Sequence, residues 1–172
     1  MTRVHQAARN GDARLLQKLL QADPSIVDSQ MMVSDATPLH LACGEGQFAA
    51  AKVLLAWKAD INARDKNGNT PLHNTLYDVK GSFISLIMNA HTTSAMVEYL
   101  LTHGASPNVH NEEGDTPLHK AAMLGRRDII EILLKHGANT TVRNNKGDTP
   151  LRTALKYQQV HAADVLREHG RR

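Results

Sequence analysis

A four-residue motif returns along this chain at nearly regular distances. The copies are Thr37-Pro38-Leu39-His40, Thr70-Pro71-Leu72-His73, Thr116-Pro117-Leu118-His119 and, altered at its last residue, Thr149-Pro150-Leu151-Arg152. The first and last steps from threonine to threonine are equal, whereas the middle step is longer. The equal steps give a period of about 33 residues, which is typical of repeat architectures whose units bury their apolar faces against their neighbours. The motif therefore predicts a stack of similar units.

A second landmark, an apolar cluster, explains the irregular middle step. The cluster ends at the same distance after the motif threonine at Leu55, at Leu134 and, in altered form, at Arg167, but farther away at Leu101. One insertion of about 13 residues into a single repeat, at roughly 82–95, accounts for the whole difference. Counting the usual distance back from Leu20 reaches Thr2, which begins a degraded copy of the motif. We predict one domain over 1–172, with units at about 2–34, 35–67, 68–113, 114–146 and 147–170.

The residue types within a unit predict two helices and a turn. Threonine is suited to cap a helix and proline to its first turn, so a first helix begins at each motif. The stretch Asp128–His136 has apolar residues three and four apart, as a second amphipathic helix does, and Gly137 follows as its end. Runs such as Asn144-Asn145-Lys146-Gly147 have turn chemistry and predict a finger that leads to the next motif.

The motif, its period and the alanines at Ala42, Ala121, Ala105 and Ala138 resemble the ankyrin family over nearly the whole chain. The resemblance implies an all-α fold with short β-hairpin turns, an ankyrin-repeat solenoid of five repeats whose third carries the insertion. It also implies that His40, His73 and His119 are structural donors to neighbouring hairpin backbone. The position of the helix-ending glycine is taken by Asp23 in the first unit and by Lys58 in the second, which predicts a strained left-handed residue.

Composition limits the function classes. The net charge of +3 arises from 20 Lys and Arg against 17 Asp and Glu spread along the chain, which is a weak footprint for a nucleic-acid ligand. No apolar run has the length of a signal peptide or a membrane span, and one cysteine, Cys43, forms no internal disulfide. We expect a monomer in the cytoplasm, with the nucleus or secretion into a host cell as alternatives, and no membrane or nucleic-acid partner.

In proteins that this chain resembles, finger tips and exposed first-helix positions hold a partner protein. The corresponding finger residues are Arg64, Lys66, Asn67 and Asn69, then His110, Glu112, Glu113 and Asp115, then Arg143, Asn145 and Lys146. The corresponding helix residues are Tyr77, Asp78, Met123, Leu124, Lys156 and Tyr157. The resemblance also marks Asn62 as a possible substrate of a protein asparaginyl hydroxylase if the source is an animal cell.

Departures from the repeat mark two further candidates. The first finger has Met31-Met32-Val33 where the second has Arg64-Asp65-Lys66, which predicts either an apolar contact site or packing against the first unit. Trp57 at the end of a second helix is either a hot-spot residue or partly buried between units. The insertion, which has an apolar helical face, either lengthens both helices or adds a short one.

The sequence contains no motif that predicts chemistry. The ten histidines include no His-Glu-x-x-His pair, so we expect no metal and no cofactor. The glycine pattern at 44–49 lies at the end of a helix rather than between a strand and a helix, so it does not indicate a nucleotide site. We therefore expect a non-catalytic protein-binding module. The alternatives are a scaffold subunit of an enzyme complex, a host-directed effector that acts by binding, and a nucleic-acid adaptor, which the acidic third finger disfavours.

Overall fold

The computed structural model describes residues 1–76 and 90–170, with side chains described from 93 in the second range. Within these ranges there are ten α-helices, one 3-10 helix and no strand. The helices are α1 (Arg3–Asn10), α2 (Ala13–Ala22), α3 (Pro38–Gly44), α4 (Phe48–Ala56), α5 (Pro71–Asn74), α6 (Ala90–Thr102), α7 (Pro117–Met123), α8 (Arg127–Lys135), α9 (Pro150–Lys156) and α10 (Val160–His169), and the 3-10 helix is Pro24–Asp28. The all-α prediction is confirmed, and the number of repeats stays a prediction.

The chain forms two compact units, residues 1–96 and 97–172. In the first unit, the helices that begin at the motif pack in sequence, α1 on α3 and α3 on α5, while α2 packs on α4. Leu16, Leu39, Leu54 and Leu72 are fully buried between them. Apolar side chains three and four apart on each helix meet those of the next unit, so stacking supplies the core that one helix pair lacks.

The second unit repeats this arrangement. Helix α7 packs on α9, α8 packs on α10, and each inner helix also contacts its own outer helix. The core contains Leu118, Ile129, Ile130 and Leu133, all fully buried, together with Leu166. These helices are short, so their stability comes from packing rather than from helix propensity.

Buried histidines connect each motif to the finger that precedes the next one. The His40 Nδ1 atom accepts a hydrogen bond from the Thr37 N–H at 3.2 Å, and its Nε2–H donates to the Asn69 carbonyl at 3.0 Å. His119 makes the same pair of contacts with Thr116 and Asp148. The structural role that the resemblance implied is thus confirmed for His40 and His119.

The fingers are tight turns joined by backbone hydrogen bonds. In the fourth finger the Asn144 N–H donates to the Asp148 carbonyl and the Gly147 N–H donates to the Asn144 carbonyl. Neighbouring fingers are linked by the Asn145 N–H, which donates to the Glu113 carbonyl at 3.0 Å in the second unit. The side chains at these tips therefore project from a backbone that is fixed by hydrogen bonds within the finger and to a neighbouring finger.

Two residues were predicted to be left-handed because they occupy the position of a helix-ending glycine. The prediction is confirmed for Lys58, whose φ is +66°. It is wrong for Asp23, which is extended at φ −149° because its carboxylate accepts the Ser25 N–H and begins the 3-10 helix Pro24–Asp28. The connection that follows α2 is longer in the first repeat, so the chain can leave this helix in a different direction.

We expect the Lys58→Gly substitution to raise the free energy of unfolding by about 1 kcal/mol, because glycine reaches the left-handed region without a Cβ penalty. The side chain of Lys58 is exposed, so little packing is lost. Thermal unfolding followed by circular dichroism measures the change. A lower melting temperature would mean that the lysine side chain contributes more than the strain removes.

Most of the insertion predicted at 82–95 lies outside the described residues. Its end falls within α6, which is longer than the outer helices α2, α4, α8 and α10. Thr93 and Ser94 lie inside α6, so neither residue is its N-cap.

Candidate protein-binding site

The finger residues selected from the sequence separate into exposed and buried sets. Side chains of the following residues are exposed: Arg64, Lys66 and Asn67 in the first unit, and His110, Glu112, Glu113, Arg143, Asn145 and Lys146 in the second. The exposed tips are mixed in charge. The second and fourth fingers carry cations, and the third carries carboxylates.

The expectation of an exposed side chain is wrong for Asn69. Asn69 is completely buried, its N–H donates to the Asp65 carboxylate, and its carbonyl accepts the His40 ring N–H. The residue just before each motif enters the joint between finger and helix, so it stabilises the turn and is not available to a partner. Asp115 occupies the same position in the third finger, and its side chain is only 14% exposed.

Of the helix positions, Lys156 and Tyr157 are exposed, whereas Met123 and Leu124 are half-buried. Tyr77 and Asp78 lie outside the described residues. Trp57 is half-buried. The helix positions thus offer a partner both polar groups and partly covered apolar surface.

The first finger exposes apolar side chains at its tip. Met32 and Val33 are 102% and 78% exposed, while Met31 is half-buried. The turn is closed by the Asp35 N–H, which donates to the Met31 carbonyl at 2.8 Å, and by the Met31 N–H, which donates to the Ala36 carbonyl. Met32 and Val33 are therefore accessible, whereas Met31 is partly covered, and the contact site stays a prediction.

A small, shallow depression lies between the fourth finger and the inner helices of the second unit. Its lining residues are Asp115, Met123, Asn144, Lys146, Asp148, Thr153, Lys156 and Tyr157. Three of the helix residues selected from the sequence therefore meet two of the selected finger residues in one place: Met123, Lys156 and Tyr157 meet Asp115 and Lys146.

Charged groups beneath this depression form a connected network. The Asp148 carboxylate, whose side chain is 7% exposed, binds Arg152 Nε at 2.8 Å and Lys156 Nζ at 3.2 Å. The Asp115 carboxylate accepts the Asn144 amide at 2.7 Å and lies 3.4 Å from Lys120 Nζ. The Asp148 carboxylate is buried, the Asp115 carboxylate is largely covered, and both are compensated, while Lys156 and Arg152 are 55% and 70% exposed. The accessible charge at this place is therefore positive.

Two residues at this place were not predicted from the sequence, Lys120 and Thr153, which occupy the fourth position after their motif threonines. Lys120 is buried and binds Glu113 and Asp115, and Thr153 lines the depression. The residue type at this position differs between repeats, being leucine at Leu41, lysine at Lys120 and threonine at Thr153, whereas the residues next to it recur. This change of residue type between recurring residues was the signal in the sequence that could have indicated Lys120 and Thr153.

Side chains that could bind a metal ion do not gather among residues 1–76 and 93–170. No cluster of three or more metal-ligating side chains occurs there. Burial raises the pKa of the Cys43 thiol, so this cysteine stays protonated and packs as a small apolar side chain. None of the helices in these ranges combines the length and hydropathy required to cross a bilayer.

Asn62 is half-buried in the turn after α4, and its N–H donates to the Asp60 carboxylate at 2.9 Å. Hydroxylation at this residue stays a prediction. Intact-mass analysis of protein recovered from its source cells would detect the added oxygen atom.

Comparison with known proteins gives one family and several distant relatives. The family model described as "Ankyrin repeats (3 copies)" matches residues 4–78 and 84–172. The chain is 33% identical over 131 residues to the transient receptor potential cation channel subfamily A member 1 homolog of Caenorhabditis elegans, a match of 70% of this chain and 11% of the channel. It is 26% identical over 146 residues to the human member 1, a match of 73% of this chain and 13% of that protein. It is 36% identical over 113 residues to neurogenic locus notch homolog protein 1 of Danio rerio, a match of 54% and 5%. The chain thus spans a small part of each of these relatives.

Proposed function

Because this chain belongs to the ankyrin-repeat family, whose members are generally protein-interaction modules, we propose that it is a non-catalytic module that binds a partner protein through its finger tips and inner-helix positions. The observation that carries this proposal is the contrast between constant, buried joints and variable, exposed tips. The His40 and His119 joints repeat, whereas the tips range from apolar at Met32 to acidic at Glu112.

Rigid presentation of these tips supports the proposal. Backbone hydrogen bonds link the first finger to the second, Lys66 N–H to the Ser34 carbonyl at 2.9 Å, and the third to the fourth through Asn145. A partner that binds such a surface orders few groups on this side of the interface, which reduces the entropic cost of association. Stable protein interfaces bury about 800 Å² on each partner, which several fingers and helix positions together can supply.

The apolar tip of the first finger is the strongest single anchor available. Exposed apolar side chains that polar residues surround mark contact sites, and methionine adapts to different partners. Met32 is fully exposed and Val33 nearly so, which leaves little folded-state packing to explain them. We place Met32 and Val33 at the centre of the proposed contact and Met31 beneath them.

Affinity capture from source cells, with the full chain as bait and mass spectrometry as readout, identifies the partner. We expect the double substitution Met32→Asp and Val33→Asp to weaken binding of that partner by about tenfold or more, because burial of either side chain contributes roughly 1.5 to 3 kcal/mol. Isothermal titration calorimetry measures the change, and the melting temperature should stay the same because neither side chain is buried.

Val160→Asp is the control, since Val160 is 66% exposed on α10 and the substitution is the same as the one at Val33. Equal loss of binding in both variants would assign the effect to general charge. A nucleic-acid adaptor would instead show affinity that falls steeply with salt. Failure of every tip and helix variant to alter capture would overturn the proposed function.

A further inference from the structure

A buried hydroxyl group in the second unit has no hydrogen-bond partner. Thr153 lies in α9 and is 6% exposed, and its Oγ1 atom makes no hydrogen bond. A helical threonine usually satisfies its hydroxyl by donating to a carbonyl one turn earlier, as Thr75 and Thr102 do. A buried group without a partner requires an explanation. Thr153 lines the depression beside the fourth finger, so a ligand group that enters there lies next to the side chain whose hydroxyl is unpaired.

The preceding repeat shows why this space is open. The residue equivalent to Thr153 is Lys120, whose long side chain fills the corresponding place and carries its ammonium to Glu113 at 3.1 Å and Asp115 at 3.4 Å. The shorter Thr153 side chain makes no hydrogen bond with either equivalent finger residue, Lys146 or Asp148. The depression is therefore open because Thr153 has a short side chain at the position that Lys120 occupies in the preceding repeat.

The groups that surround the hydroxyl select the charge of a ligand. The Asp115 and Asp148 carboxylates already bind Lys120, Asn144, Arg152 and Lys156. The Lys146 and Lys156 side chains line the same depression and are exposed. When Lys156 turns away from Asp148, Arg152 still compensates that carboxylate at 2.8 Å. Accessible donors outnumber accessible acceptors here, so the complementary ligand group is an anion with hydrogen-bond acceptors.

We propose that this depression receives a carboxylate side chain from an acidic segment of the partner protein, an inference that rests on the proposed function. The carboxylate accepts the Thr153 O–H and the ammonium protons of Lys156 and Lys146. The methylene groups of a glutamate then lie against Met123 and Tyr157, which form the apolar part of the lining. The inference adds to the apolar anchor of the first finger a polar contact that selects the charge of the partner.

Fluorescence anisotropy of the full chain with a labelled hexaglutamate peptide tests the inference directly. We expect binding that weakens with added salt, and no comparable binding of hexaglutamine or hexalysine. We expect Thr153→Val to weaken hexaglutamate binding by about tenfold, as loss of a hydrogen bond to a charged group does. Because the hydroxyl has no partner in the fold, the same variant should keep or increase its melting temperature.

Lys156→Gln should weaken hexaglutamate binding by a similar factor, whereas the matched control Lys18→Gln, on the exposed face of α2, should leave it unchanged. Absence of hexaglutamate binding, tighter binding of hexalysine, or an equal loss in the Lys18 variant would overturn the inference. A captured partner whose affinity depends on Met32 and Val33 but not on Thr153 or Lys156 would leave the proposed function standing and remove this site.

Discussion

Replacement of Gly114 by alanine is expected to lower the free energy of unfolding by about 3 to 5 kcal/mol. Gly114 has φ +76°, and an added Cβ would lie 2.7 Å from the backbone nitrogen of Asn145 and 3.0 Å from the Cα of Asn144. Both atoms belong to the next finger, so the backbone link between the third and fourth fingers must shift to make room. Urea unfolding followed by circular dichroism measures the loss.

Gly147→Ala is a matched control at the equivalent position of the next finger. Gly147 has nearly the same φ, +75°, but an added Cβ meets no atom within 4 Å. It should cost only about 1 kcal/mol, which is the penalty of the left-handed conformation alone. The difference between the two variants isolates the contact between fingers. Equal destabilisation would mean that this contact is loose and that backbone conformation accounts for the whole effect.

The second large effect is expected for His119→Leu, which should lower the free energy of unfolding by about 2 to 4 kcal/mol. His119 is 1% exposed, accepts the Thr116 N–H and donates to the Asp148 carbonyl. Leucine fills similar space but leaves both backbone groups buried without these bonds. Urea unfolding measures the change, and His161→Leu, at an exposed position of α10, should alter stability by less than about 0.5 kcal/mol.

Acid should destabilise the wild type through the same histidines. Burial lowers the pKa of His119, and likewise of His40 and His5, below the ordinary value of 6.5. The unfolded chain therefore takes up more protons than the folded one once the pH falls below 6.5, so the free energy of unfolding decreases toward the lower, folded pKa. Unfolding measured at several pH values should show a shallower acid dependence for His119→Leu. An identical slope would mean that the pKa of His119 is the same in the folded and the unfolded chain.

Much of the fold could be predicted from sequence because the same contacts recur in each unit. The motif threonine and proline begin helices at Pro38, Pro71, Pro117 and Pro150, and the histidine at its end forms the same joint at His40 and His119. The left-handed backbone at Lys58 followed from its place in the register. Asp23 differs from that pattern because the connection after α2 is longer in the first repeat, so the chain leaves this helix in an extended conformation.

The candidate site was less predictable, because exposure depends on what the adjacent finger covers. Asn69 and Lys66 belong to one turn, yet one is completely buried and the other exposed. Met31 and Met32 are adjacent and chemically identical, yet only Met32 is free of packing. Sequence distance does not distinguish these cases, whereas the direction of each side chain relative to the next finger does.

By itself, the sequence determined the repeating unit, its helices and the histidine joints, since short-range capping and a period of about 33 residues require the same local contacts in unit after unit. Only the tertiary structure decided which variable residues reach solvent and which groups meet. The unpaired hydroxyl of Thr153 beside Lys146 and Lys156 is one such outcome. It depends on the packing of a finger against a helix, and residues distant in sequence meet there at positions that the repeat pattern leaves free to vary.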